Sequence, residues 1–266
     1  MTTQHMKHEQ GTLAYTDYGG TGDLVLMLPG MGALRHEYRY LAPELVKAGY
    51  HAVAVDLRGQ GDSSLGWASY DVPSVGNDIM ALIQHFGGGA AHVIGTSFSP
   101  AAMVWAAAEH PDSIKSLILI GAFVRDPQVN PIMQALMWVM MNNPWRVQAW
   151  KAFYPTMFPT QKPDDFDTYL KQLVDGLKEK GRFDVVKKYG STSRKPSETR
   201  LSKIQAPTLV VMGTADPDFP DPIAEANYMV EQTGGQLALI DDAGHYPQSE
   251  MPEKTTPIII EFLNNV

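Results

Sequence analysis

The stretch VIGTSFSPAA, residues 93–102, restricts this chain more than any other. A short β-branched apolar run ends at Ser97, and an alanine-rich helical stretch begins directly behind it. A serine between a strand and a helix sits on a sharp turn that thrusts its hydroxyl into open space. The turn drives that residue toward left-handed or bridging backbone geometry, at a cost of about 1–3 kcal/mol. It also brings strand and helix so close that the residues two before and two after must be small. Gly95 and Ser99 hold those places, giving G-x-S-x-S.

The first half of the chain repeats the same alternation. Residues 13–18 are expected as an early edge strand, with further strands over 24–28, 51–55, 92–95 and 114–120. Helices are expected over 38–48, 72–86 and 101–109, closed by Gly49 and by Gly87-Gly88-Gly89 where they stop. Short continuous apolar strands between helices indicate a mostly parallel sheet covered on both faces. Such sheets bind ligands at the carboxyl ends of their strands. The pattern breaks near Arg125 and resumes at the strand 207–213, followed by a strand over 237–240 and a closing helix over 256–263. The break is rich in Met and aromatic residues (Met133, Met137, Trp138, Met141, Trp145, Trp150), and 166–180 has helical periodicity. The expected organisation is therefore one doubly wound α/β core, residues 1–124 and 203–266, with a helical cap inserted over 125–202. An insertion there must lie over the site end of the sheet.

Composition narrows the function. A net charge of −8 with no basic patch disfavours nucleic acid as a partner. With no cysteine, the chain has neither disulfides nor thiol chemistry. Residues 1–10 are polar and lack an apolar signal core, and the longest apolar run, 132–141, is too short to span a bilayer. A cytoplasmic protein acting on a small molecule is expected, with no cofactor; no H-E-x-x-H or similar metal cluster is visible.

A serine hydroxyl needs a base within hydrogen-bond reach, and the base needs a group that fixes its tautomer and stabilises its cation. Of eight histidines, His5 and His8 fall in an expected mobile terminus, and His51, His85, His92 and His110 sit at ends of elements. His36 follows the glycine loop and is kept as a substrate contact. His245, in Ala243-Gly244-His245 after the last strand, falls on the same edge as Ser97 and is the expected base. Asp216, three residues past the glycine ending strand 207–213, is the expected acid, with Asp218 and Asp126 as competitors. The oxyanion of acyl transfer needs two preorganised donors. The Phe98 N–H at a helix start and the Met31 N–H in Pro29-Gly30-Met31-Gly32 are the candidates; Pro29 has no N–H to give. Met137, Trp138 and Met141 are candidate pocket residues, methionine being adaptable packing for an apolar substrate.

With these residues in place, the chain resembles the α/β-hydrolase superfamily over nearly its whole length outside the insertion. The resemblance rests on Leu28-Pro29-Gly30-Met31-Gly32, on the D-x-R-G-x-G-x-S turn from Asp56 to Ser63, on the nucleophile elbow at Ser97, on 206–216, and on Ala243-Gly244-His245. It implies that Ser97, Asp216 and His245 are nucleophile, acid and base, and that the insertion is a lid. Two departures stand out: Pro29 where many relatives carry histidine, and Ser99 in place of the second elbow glycine. A serine nucleophile points to the esterase-like branch and away from branches that use aspartate. The expected activity is cleavage of a small, largely apolar ester. A non-hydrolytic ligand-binding or signalling protein, or a lyase, on the same scaffold is the alternative.

Overall fold

A computed structural model describes residues 2–127, 131–142 and 144–266. Eight strands form one sheet: β1 Gln4–His8, β2 Gly11–Gly19, β3 Leu24–Leu28, β4 His51–Val55, β5 Ala91–Thr96, β6 Ile114–Ile120, β7 Thr208–Gly213 and β8 Gln236–Ile240. Their order is β1-β2-β4-β3-β5-β6-β7-β8. The β1/β2 and β2/β4 pairs are antiparallel, and every later pair is parallel. This is the doubly wound α/β architecture that the alternation implied.

The central strands β3 to β7 are buried on both faces, as parallel strands under helices must be. One face packs Leu26, Val53, Val93 and Leu119 against the helices Val72–His85 and Ser99–Glu109. The other packs Val25, Ile94, Ile118 and Val211 against Leu41, Leu45, Ile259 and Phe262 of the helices Leu41–Lys47 and Pro252–Asn264. Alternate residues of each strand thus serve opposite layers.

The amino terminus departs from expectation. Residues expected to be mobile form β1, so β2 is an interior strand, not the edge. A tight turn with Glu9 at φ 48° folds β1 back onto β2, and Met6 is buried against the core. A single apolar residue in a polar pentapeptide gave no periodic signal; the strand exists because β2 offered it backbone partners. The expected helix over 38–48 is also shorter, a 3₁₀ turn Arg35–Tyr38 followed by the helix Leu41–Lys47.

Between β6 and β7 the described residues form helices and 3₁₀ turns and no strand. The helix Phe166–Lys178 buries Phe166, Tyr169, Leu170, Leu173, Val174 and Leu177, the spacing of one helical face. These side chains join Trp150, Tyr154, Phe158 and Phe183 in a third apolar cluster. Its sheet-side members are Ala33, after β3, and Tyr246, after β8. The segment therefore rests on loops that leave the carboxyl ends of the sheet.

The D-x-R-G-x-G-x-S turn is held together by buried polar contacts. Arg58 donates to both Asp78 oxygens at 2.7 Å, and Ser63 Oγ donates to the Asp56 carbonyl at 2.8 Å. At Gly61, φ is 50° and a methyl would stand 2.2 Å from the Asp56 carboxylate, so only glycine fits.

Candidate active site

Parallel pairing in register puts the carboxyl ends of β3, β5, β6, β7 and β8 on one rim. Leu28 pairs with Gly95, Thr96 with Ile120, and Gly213 with Ile240. The residues that follow these ends form the site.

Ser97 follows β5 and has φ of 61°, the left-handed region that a side chain enters only at a cost. Two backbone hydrogen bonds of 2.9 Å hold it there: its N–H donates to the Ile120 carbonyl, and its carbonyl accepts from the Phe123 N–H. The size rule of the turn is visible at Gly95, where a methyl would meet Met103 Sδ at 2.3 Å and Ser99 Cβ at 3.1 Å. The two departures from the family pattern meet each other. Ser99 Oγ donates to the Pro29 carbonyl at 2.5 Å, tying the elbow to the glycine loop after β3. That loop backs onto Ser97: a methyl on Gly30 would stand 2.9 Å from Ser97 Cβ and 3.5 Å from Ser97 Oγ. Among the described residues, neither the Met31 nor the Phe98 N–H has a protein acceptor.

His245 and Asp216 come from the loops after β8 and β7. His245 Nδ1 donates to Asp216 Oδ2 at 2.7 Å, with both side chains almost fully buried. Asp216 Oδ1 accepts the Asp218 N–H at 3.0 Å, which fixes the carboxylate's rotation. Burial opposes a charged imidazole, but the carboxylates of Asp216, Asp218 and Glu37 outweigh it and raise His245 to about 9. Its ring lies against Gly121, where a methyl would stand 3.0 Å from Nδ1, so Ser97 and His245 bracket the same short segment after β6. The two are brought to one rim but not into a hydrogen bond. His245 Nε2 has no hydrogen-bond partner among the described residues, and Asp218 Oδ2 lies 3.6 Å from it.

The remaining candidates separate. Asp126 accepts from Ser193 Oγ at 2.7 Å and the Arg194 N–H at 2.6 Å, so it braces the helical segment and is no partner of His245. His36 is half-buried in the field of Arg35, Asp56 and Asp62, and none of its described interactions is with Ser97. Burial and the Arg35 guanidinium hold its pKa below the ordinary value. Trp138, expected in a pocket, is 67% exposed, because the helix Pro131–Asn142 turns that face outward. Met141 is buried in the third cluster, and it and Met31 Sδ both stand within 3.7 Å of a methyl placed on Gly190. The Met137 side chain lies outside the described residues.

Three buried groups were not foreseen. Glu37 Oε1 accepts from Gln248 Nε2 at 2.8 Å, and Glu37 Oε2 accepts the Gly30 N–H at 3.4 Å. Burial raises this carboxyl to about 7 against the lowering of those hydrogen bonds. Gln248 also donates to Thr96 Oγ1 at 3.1 Å, so one network underlies the glycine loop, the elbow and the histidine loop. Glu250 accepts the Gly244 N–H at 2.5 Å and, through its other oxygen, the Thr160 N–H at 2.9 Å. Together with the His245 N–H donated to the Met157 carbonyl at 3.0 Å, it fastens the histidine loop to the helical segment. Charged and amide side chains inside short polar stretches look solvated in a sequence; only the fold showed them enclosed.

Residues 25–257 match the alpha/beta hydrolase family. The chain belongs to that family. It is 24% identical, over 91% of its length and 94% of the relative's, to the pimeloyl-[acyl-carrier protein] methyl ester esterase of Neisseria meningitidis serogroup C. It is 27% identical, over 88% of its length and 75% of the relative's, to Lipase 3 of a Moraxella species. Its fold is similar to that of a thermophilic esterase from Thermogutta terrifontis, with a TM-score of 0.80 over 100% of this chain and 99% of that one, at 23% identity. The expected esterase-like α/β-hydrolase agrees with these relatives. Among the described residues, no helix is long and apolar enough to cross a membrane.

Proposed function

We propose that the protein is a serine hydrolase that cleaves a small, largely apolar carboxylic ester through an acyl-enzyme. Residues 1–124 and 203–266 are its core, and 125–202 its cap. The observation that carries the reading is the buried His245–Asp216 pair at 2.7 Å, on the rim where Ser97 is held in left-handed geometry. With the Nδ1 N–H donating its hydrogen bond to Asp216, the neutral imidazole keeps the Nε2 lone pair for a hydroxyl. Ser97 Oγ attacks the ester carbonyl carbon while His245 Nε2 takes its proton. The negative oxygen is held by the Met31 and Phe98 N–H groups, donors of a kind worth about 10²–10³ in turnover when one is removed. Collapse expels the alkoxide, which takes the proton from Nε2. Water, deprotonated by the same nitrogen, then attacks the acyl-enzyme and releases the acid, and Ser97 regains its proton.

Supporting this reading are the esterase and lipase relatives and the apolar cluster above the rim, whose Ala33 and Tyr246 flank the glycine and histidine loops. A fluorophosphonate probe should add once to the protein, at Ser97, and intact-mass spectra of Ser97→Ala should show no adduct. Full labelling of that variant would refute the assignment.

The alternative, a ligand-binding protein or a lyase on the same scaffold, is favoured by the unpartnered Nε2. Hydrogen bonds of catalytic groups commonly tighten only when substrate binds, which is why hydrolysis is preferred. A panel of p-nitrophenyl esters of increasing acyl length separates the two, since a non-hydrolytic protein turns over none of them.

A further inference from the structure

Asp218 is not needed for the triad, yet it stands beside it. Its N–H is spent on Asp216 Oδ1, whereas its own carboxylate accepts no hydrogen bond from any described residue. The nearest cation-forming group is His245 Nε2, 3.6 Å from Oδ2 and itself unpartnered and buried. A carboxylate with no donor is an expensive thing to desolvate. A quarter of the Asp218 side chain is exposed, so one side remains open to an incoming group.

That open side has a definite place in the reaction. Nε2 is the atom that must deliver a proton to the departing alkoxide, so the leaving-group oxygen passes within hydrogen-bond distance of it. Whatever is attached to that oxygen then lies within reach of Asp218. Aromatic rings lie beside His245. Phe123 and Phe219 stack on each other at 4.5 Å, and their centroids lie 6.0 and 6.3 Å from the His245 ring. A carboxylate with no donor, open on one side and close to the aromatic rings around His245, is chemistry that suits an alkylammonium group.

Building on the serine mechanism above, we propose that Asp218 is a specificity-determining residue, selecting esters whose alcohol portion carries a cationic amine and rejecting those whose alcohol is anionic. The apolar requirement then belongs to the acyl portion and the charge requirement to the alcohol.

The test compares butyryl esters of 2-(trimethylammonio)ethanol, of its neutral isostere 3,3-dimethylbutanol, and of 3-hydroxypropanesulfonate. The native enzyme should prefer the cationic over the neutral ester by about tenfold in kcat/KM, the size of effect expected for a close, partly screened charge pair. The anionic ester should be the poorest. Asp218→Asn should bring the cationic-to-neutral ratio close to one; as a ratio, it is insensitive to any general loss of activity. Asp218→Ser serves if the asparagine variant does not fold. A ratio near one in the native enzyme, or an unchanged ratio in both variants, overturns the proposal. Calorimetric titration with free 2-(trimethylammonio)ethanol and with 3,3-dimethylbutanol supplies a readout independent of turnover. Tighter binding of the cation, lost in Asp218→Asn, supports the Asp218 site even if no ester is hydrolysed and the serine mechanism fails. Equal binding with Ser97 labelled normally sinks the Asp218 site alone.

Discussion

The rim and the helical segment above it are held in different ways. Each residue at the rim is fixed by the end of a buried strand and by short polar contacts: Ser97 through Ile120 and Phe123, Asp216 through Asp218, and His245 through Asp216. The segment rests on ring packing: Trp150 over Gly32, Tyr154 on Tyr246 at 5.4 Å, and Phe158 on Tyr246 at 5.3 Å. It is tied down by a few clips such as Glu250 and the bidentate Arg39–Asp165 pair. Directional bonds fix chemistry to fractions of an ångström; ring contacts tolerate sliding. Chemistry and access to it are therefore separable, and substitutions at the rim and in the segment should fail differently.

The largest effect should come from the rim. Ser97→Ala should lower kcat on a short p-nitrophenyl ester by about 10⁴–10⁶, as loss of a serine nucleophile does elsewhere, with an unchanged melting curve. Substantial residual turnover would move the nucleophile to another residue. Asp216→Asn should cost about 10⁴, because the tautomer of His245 would no longer be fixed. Near-normal turnover in that variant would mean that Asp218 replaces it, and that the rim is less exclusive than its hydrogen bonds imply.

In the segment, Trp150→Ala should instead cost about 3 kcal/mol in denaturant unfolding while a small fluorophosphonate still labels Ser97. Loss of labelling together with stability would show that the two regions are one unit. A weaker effect is expected in pH. With His245 raised to about 9, kcat/KM should climb with pH and level off above that value, because the base must be neutral. Asp218→Asn should move the midpoint down, since the Asp218 carboxylate is one of the charges that raises it. The same shift bears on stability with a fixed sign: the contribution of protonated His245 is whole below about 6.5 and is lost as pH rises through about 9. The smallest effect should be Ser99→Gly, which restores the usual elbow but deletes the bond to Pro29, at about 1 kcal/mol by thermal unfolding.

Legibility followed the same division. The order of strands and helices, the elbow, and the loops bearing Asp216 and His245 could be read because each is marked locally, by an apolar run, a glycine or a turn. Asp216 was the expected acid, but local signals left Asp218 and Asp126 as competitors, since all three follow strands. β1 was missed because one buried methionine among polar residues carries no period. Trp138 was expected inside for its hydrophobicity, but its helix turns that position outward and buries Met141 in the third cluster.

By itself, the sequence determined what local chemistry can encode: a parallel sheet with its reactive loops at one edge, a strained serine, and a helical insertion above. Tertiary structure alone decided which of three aspartates hydrogen-bonds His245, that Glu37 and Glu250 are enclosed, and that Asp218 is left facing Nε2 without a donor. The reason is physical. Periodicity and turn geometry act over a few residues, whereas burial and pairing of charge depend on loops from β3, β5, β7 and β8 converging on one rim.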